Sequence, residues 1–234
     1  MGVGCFIEFL APPSTPTLRF TETYDAPPSG GFVLAADPNI DLSNITGSTY
    51  STDNVSPGYS FRNTVTGLAH PGYDFTYTLP TGSTKVSFRT DFKRDNFGAA
   101  VPNEQRVMRL FSGLGFSGPF INFSITNLGQ LRVEDVASGY ISPLIGSVGA
   151  IVEGTWYNLR WDVTLNTPGI ANGAVEVFIN GVSTYSTTTA NILAVSQTPS
   201  ITKYRFANNL NLVGGSVPSP NPYFLYDNTS GWAL

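Results

Sequence analysis

Between Gly154 and Val182 the chain reads GTWYNLRWDVTLNTPGIANGAVEVFINGV. Tyr157, Leu159, Trp161, Val163 and Leu165 alternate with Asn158, Arg160, Asp162 and Thr164. Successive side chains of a strand point to opposite faces, so strict period two describes a long strand with one face on a core and the other toward water. A Pro-Gly and Asn-Gly loop follows, then a second alternating run through Val175, Val177 and Ile179. Asn180-Gly181 closes it with the residue pair best suited to a tight two-residue hairpin turn.

The same pattern recurs along the chain. Leu18 and Phe20 mark an early strand, followed by the turn-rich segment from Ala26 to Gly31. Residues 32–58 read as long connections rich in Asn, Asp, Ser and Gly. Alternation resumes at Tyr59, Phe61 and Val65, again at Tyr73, Phe75, Tyr77 and Leu79, and at Val86, Phe88 and Phe92 opposite Ser87, Arg89, Asp91 and Lys93. VMRLFSGLG is a further strand. FINFSIT places Ile121, Phe123 and Ile125 on one side, Asn127-Leu128-Gly129-Gln130 turns, and LRVEDV returns with Leu131 and Val133 inward. Late strands fall at Ile201–Ala207 and Tyr223–Asp227. About a dozen strands, with no helical periodicity and no fixed repeat, predict an all-β fold of two packed antiparallel sheets. Residues 1–16, ending in Ala11-Pro12-Pro13-Ser14-Thr15-Pro16, read as an extended N-terminal arm. Residues 17–234 form a single domain in this reading.

Charged residues make up 12% of the chain, against roughly 25% in an average soluble domain. Either Ser, Thr and Asn face the solvent, or partners cover much of the surface, where charge would be costly to desolvate. A net charge of −4 without a basic cluster excludes nucleic acid as a partner. No apolar stretch approaches the roughly 20 residues of a membrane helix. MGVGCFIEFLAPP has no positive n-region and is interrupted by Glu8, so it reads poorly as a secretion signal. Cys5, the single cysteine, allows no intrachain disulfide.

The Trp-led strand, the short loop and the strand ending in Phe178-Ile179-Asn180-Gly181 resemble the concanavalin A-like lectin/glucanase superfamily, particularly its laminin-G-like jelly rolls. Asn127-Leu128-Gly129-Gln130-Leu131 between two strands adds to the likeness, as does Phe224-Leu225-Tyr226-Asp227-Asn228 near the end, although Asn228 stands where the family's second acidic residue would be. The resemblance spans roughly residues 17–234 and implies a concanavalin A-like jelly-roll sandwich.

The catalytic sets that the resemblance implies do not assemble in the sequence. Glucanases of this fold use a Glu-x-Asp-x-Glu alternation on one strand, whereas Glu134-Asp135 are sequential and point to opposite faces. Polysaccharide lyases of this fold use an Arg-rich strand, a Gln-x-His strand and a late tyrosine. Here the sole histidine, His70, precedes Pro71-Gly72 with no glutamine two residues earlier. Gly113-Leu114-Gly115-Phe116-Ser117-Gly118 matches G-x-G-x-x-G by letters, but no helix follows to hold a pyrophosphate. No catalytic residue is therefore expected. Ligand-binding candidates are aromatics outside strand-interior register, near Gly, Ser or Asn: Tyr50, Phe97, Phe116, Tyr140 and Trp232. Related jelly rolls often hold Ca²⁺ between the first and last strands. Glu22 and Asp227, each following the apolar register of its strand, are the metal candidates, with Asp37, Asp41 and Asp53 as a second set.

A lectin-like pattern without leader, disulfide or catalytic set leads to an expectation: a non-enzymatic virion decoration protein, displayed on a phage capsid or tail. Its expected partners are capsid or tail proteins and further copies of itself, with cell-surface glycans as possible ligands. The alternative is a secreted carbohydrate-binding module or polysaccharide-degrading enzyme, located outside the cell.

Overall fold

The alternating runs become fifteen strands in a computed structural model that describes residues 17–22, 40–41, 48–55, 60–64, 74–97, 104–112, 120–135, 139–194, 196–210 and 222–233. The arm, His70 and Phe116 lie outside the described residues. One sheet orders β13 (Val182–Ala190), β12 (Gly173–Ile179), β11 (Tyr157–Thr164), β6 (Lys85–Asp95), β15 (Tyr223–Ala233), β4 (Ser60–Thr64) and β3 (Ser48–Ser51), with β1 (Thr17–Glu22) also paired to β15. The second orders β10 (Gly139–Tyr140), β9 (Leu131–Asp135), β8 (Phe120–Thr126), β7 (Glu104–Phe111), β14 (Ile201–Leu210), β5 (Asp74–Ser83) and β2 (Ile40–Asp41). Every pairing is antiparallel. This is a two-sheet jelly-roll sandwich with no helix among the described residues.

The opening hairpin forms as its sequence dictates. Leu159, Trp161 and Val163 pair with Ile179, Val177 and Val175. Asn180 and Gly181 take φ of 52° and 80°, as the tight turn requires. Trp161 lies at the centre of the sandwich, its ring centroid 5.7 Å from Phe88 in its own sheet and 5.0 Å from Phe123 in the other. Two phenols tie the sheets together: Tyr226 donates to the Val107 carbonyl at 3.0 Å, and Tyr204 donates to that of Trp232. Arg94, buried on the core side of β6, reaches across as well. Its Nε donates to the Ile151 carbonyl at 2.9 Å and its Nη1 to those of Thr126 and Asn127 at 3.0 Å. Burial lowers the Arg94 pKa. Gly129, in the turn so gripped, has φ of 77°, and a Cβ there would fall 2.3 Å from the Ile151 carbonyl oxygen. Only glycine fits.

Asn166 fastens the loop between β11 and β12. Its Oδ1 accepts from the Ile192 and Leu193 amides at 2.9 and 2.7 Å, while Nδ2 donates to the Thr167, Ile170 and Leu193 carbonyls and to Asn191. Because the side chain is buried, Asn166→Ala strands two amides and should cost about 2 kcal/mol or more. Asn166→Asp should cost more still, since it turns a donor into an acceptor facing carbonyls. Denaturant melts of both variants check this order, and an aspartate variant as stable as wild type would contradict it.

Candidate functional site

Two outward faces are available, one per sheet. On the second sheet Met108, Leu110, Ile121, Phe123, Leu131 and Val133 enter the core. The residues between them turn away from it. Arg109 pairs with Asn122, and Asn122 with Glu134. By backbone register the row continues to Tyr140 on one side, and to Arg205, Thr76 and Asp41 on the other. One transverse row thus crosses all seven strands. The neighbouring row pairs Arg106 with Ser124 and Ser124 with Arg132.

Arg106 and Arg109 share this face because the register slips between Arg106 and Met108. Two residues three apart would otherwise face opposite ways, and the extra residue, Val107, corrects the phase. The floor is dry for an outer face: Arg109 is 7% exposed, Asn122 0% and Ser124 1%. Burial, with Arg106 nearby, brings the Arg109 guanidinium down to about 10, so it remains a cation at neutral pH. Asn122 Nδ2 donates to Glu134 Oε2 at 3.2 Å, and Arg106 Nε lies 3.7 Å from the same oxygen. Asn122 Oδ1 and Ser124 Oγ are buried without a hydrogen-bond partner. Buried polar atoms are usually satisfied, and orphans beside a desolvated cation mark a surface waiting for polar ligand atoms.

The outward face of the first sheet divides in two. Toward one end, the segment 51–55 straps it. Asp53 pairs with Lys93 and accepts from Trp156 Nε1 at 3.0 Å, and the Val55 amide donates to Asp227 Oδ2 at 3.0 Å. Toward the other end lies a pocket of about 500 Å³ between β11, β6 and β15, lined by Lys85, Ser87, Arg89, Arg160, Asp162 and Trp232 among others.

The expected site residues scatter. Trp232 lines that pocket. Tyr140 stands by register at one end of the polar row, and Tyr50 lies in β3 opposite Phe61. Phe97 is a correction: its ring is fully buried and stacks on Phe224 at 4.8 Å, leaving no face for a ligand. Asp227 was expected on the core side of its strand. Phe224 and Tyr226 take that side by packing on Phe92, so Asp227 faces the opposite way. Its oxygens accept the Val55 and Asn228 amides, while Glu22 pairs with Thr229 in β1. Asp53 is engaged by Lys93 and Trp156, and Asp37 lies outside the described residues. Among the described residues no three of His, Cys, Asp and Glu converge as a metal site would need.

No family model matches the sequence, and no curated protein matches it significantly. Solved structures match closely in shape. The endo-β-1,4-glucuronan lyase of Trichoderma reesei superposes with a TM-score of 0.64 at 11% identity, covering 93% of this chain and 96% of that one. An alginate lyase from a Chlorella virus gives 0.62 at 14%, covering 84% and 93%. An alginate lyase from Aplysia kurodai gives 0.56 at 17%, covering 80% and 87%. These neighbours overturn the expectation of a non-enzymatic virion decoration protein and sit better with its alternative, a secreted carbohydrate-binding module or polysaccharide-degrading enzyme. At such identities the likeness establishes architecture: the chain is a concanavalin A-like jelly-roll β-sandwich, the fold on which these polysaccharide lyases are built.

Proposed function

We propose that this protein is a lyase of acidic, uronate-containing polysaccharides, and that its substrate lies across the second sheet. The observation that carries this reading is the transverse polar row through Arg109, Asn122 and Glu134. Strands lie ~4.8 Å apart, comparable with the length of one pyranose unit, so an extended glycan crossing the strands meets a new strand with each sugar. The Arg109 guanidinium, desolvated and still charged, is suited to a carboxylate, which it can grip with two parallel N–H donors. Asn122 Oδ1 and Ser124 Oγ offer acceptors for sugar hydroxyls.

Gripping a uronate carboxylate also serves chemistry. Neutralising that charge makes the adjacent ring proton on C5 easier to remove. When the C5–H electron pair becomes a C4–C5 double bond, the C4–O4 bond breaks and the departing glycosidic oxygen takes up a proton in place of the one lost from C5, so the chain is cut without water as a reactant. Electrostatic stabilisation of developing charge in a dry site is the strongest help that such a surface can give. Tyr140, three strands from Arg109, serves as a binding platform for a sugar further along the chain.

Incubation with alginate, glucuronan and a neutral glucan tests the reading, with ultraviolet absorbance of the new double bond as the readout. A rise with at least one polyuronate and none with the glucan is expected. Tyr140→Ala should raise KM about 2–10-fold with kcat unchanged, the size of a lost ring contact. Hydrolysis of the neutral glucan, or inertness toward every polyuronate, would overturn the proposal.

A further inference from the structure

The pocket on the first sheet lies on the far side of the core from the polar row, so one sugar cannot touch both. We propose that it is a second, non-catalytic subsite for an acidic saccharide. The lyase reading enters only as the reason to expect that the same polymer fills both faces.

Charge comes first. In a chain with net charge −4 and twelve cationic side chains, three of the twelve, Lys85, Arg89 and Arg160, line this pocket against one carboxylate, Asp162. Arg89 and Arg160 are direct cross-strand partners. Like charges directly opposite one another destabilise a sheet, and a bound anion removes that repulsion.

The two arginines are not equivalent. Arg160 is held in place: its guanidinium lies 3.6 Å over the Phe178 ring and its Nη2 is 3.3 Å from Asp162 Oδ2. Asp162 is itself fixed by the Ser87 hydroxyl at 2.6 Å. Arg160 Nε nevertheless remains buried without a hydrogen-bond partner. Arg89 is exposed, with no hydrogen bond or ion pair among the described residues. A pre-positioned cation beside an exposed one is the arrangement that clamps a carboxylate.

Trp232 distinguishes a sugar from a simple anion. It pairs with Ser87 on the strand beside Arg89, at the wall of the pocket. Its indole offers an apolar face to a pyranose ring whose carboxylate meets the arginines. About 500 Å³ is ample for one or two sugar units. Engaging one polymer at two separated places raises its effective concentration at the lyase face without any new contact there.

The experiment uses the full chain with Arg109→Gln, which disables the lyase face, and titrates a uronate tetrasaccharide calorimetrically. One site should remain. Adding Arg89→Gln should weaken it roughly 10-fold or more, and adding Trp232→Ala should abolish it. Because Arg89 is exposed and makes no hydrogen bond or ion pair among the described residues, Arg89→Gln tests the pocket without disturbing the fold. In the otherwise wild-type chain, Arg89→Gln should raise KM for long polymer and leave kcat on short oligosaccharides unchanged. Tetrasaccharide affinity indifferent to Arg89→Gln would overturn the subsite, as would a preference for a sulfated neutral oligosaccharide over the uronate. Failure of the lyase reading would appear separately, as absence of cleavage with pocket binding intact.

Discussion

Arg109→Gln should reduce cleavage of a polyuronate by about 10²–10³-fold, the loss typical when one preorganised donor to a developing charge is removed. The loss should appear as a raised KM together with a lowered kcat, because the guanidinium grips the carboxylate of the bound substrate and grips it harder as negative charge spreads from C5 into that carboxylate. Arg109→Lys should recover only part of it, since an ammonium keeps the charge and loses the two-pronged geometry. Thermal melts separate this from simple damage. Arg109 is a shielded cation beside a second arginine, Arg106, so the shorter neutral amide relieves one like-charge repulsion and should leave the chain folded. A variant that melts much earlier and loses activity in proportion would assign Arg109 to folding alone.

Trp161→Ala should cost about 3–5 kcal/mol, since it removes the largest fully buried side chain and leaves a hole between two sheets that cannot both collapse into it. Domains are stable by only about 5–15 kcal/mol, so a large fraction of the fold's margin rests on this ring. For a chain of this length the melting temperature should drop by roughly 6–20 °C. Trp161→Phe should lose much less, because Phe88 and Phe123 would still meet an aromatic partner. Circular dichroism melts read both. An alanine variant within about 1 kcal/mol of wild type would mean that the core is not organised around Trp161.

The parts of the fold that were legible in the sequence are those where one rule acts locally. Period two placed Leu159, Trp161 and Val163 inward, Asn180-Gly181 made its turn, and Ile121, Phe123 and Ile125 faced the core. Interruptions of that rule were not legible. Asn228 takes φ of 46°, and the register slips between Asp227 and Ser230. The last strand therefore runs on to Ala233 instead of stopping at Asp227. Phe97 looked like a loop aromatic because Gly98 follows it, yet it fills a space beside Phe224 that only the assembled sheets define.

The candidate site was missed for a deeper reason. Catalytic motifs are recognisable when their residues neighbour one another along the chain. Arg109, Asn122 and Glu134 are brought together perpendicular to it, one from each strand, so their spacing records hairpin lengths and spells no signature. The one signal present was a pair of arginines in a single strand. Strict period two would set Arg106 and Arg109 on opposite faces, so their joint face shows only once the slip at Val107 is seen.

That slip at Val107 has an evolutionary corollary. Losing this one codon would straighten β7 and drive one guanidinium toward the aromatic interior, whereas point substitutions nearby would only retune the surface. Lineages descending from such a sequence should therefore vary freely in the letters of this strand while guarding its length.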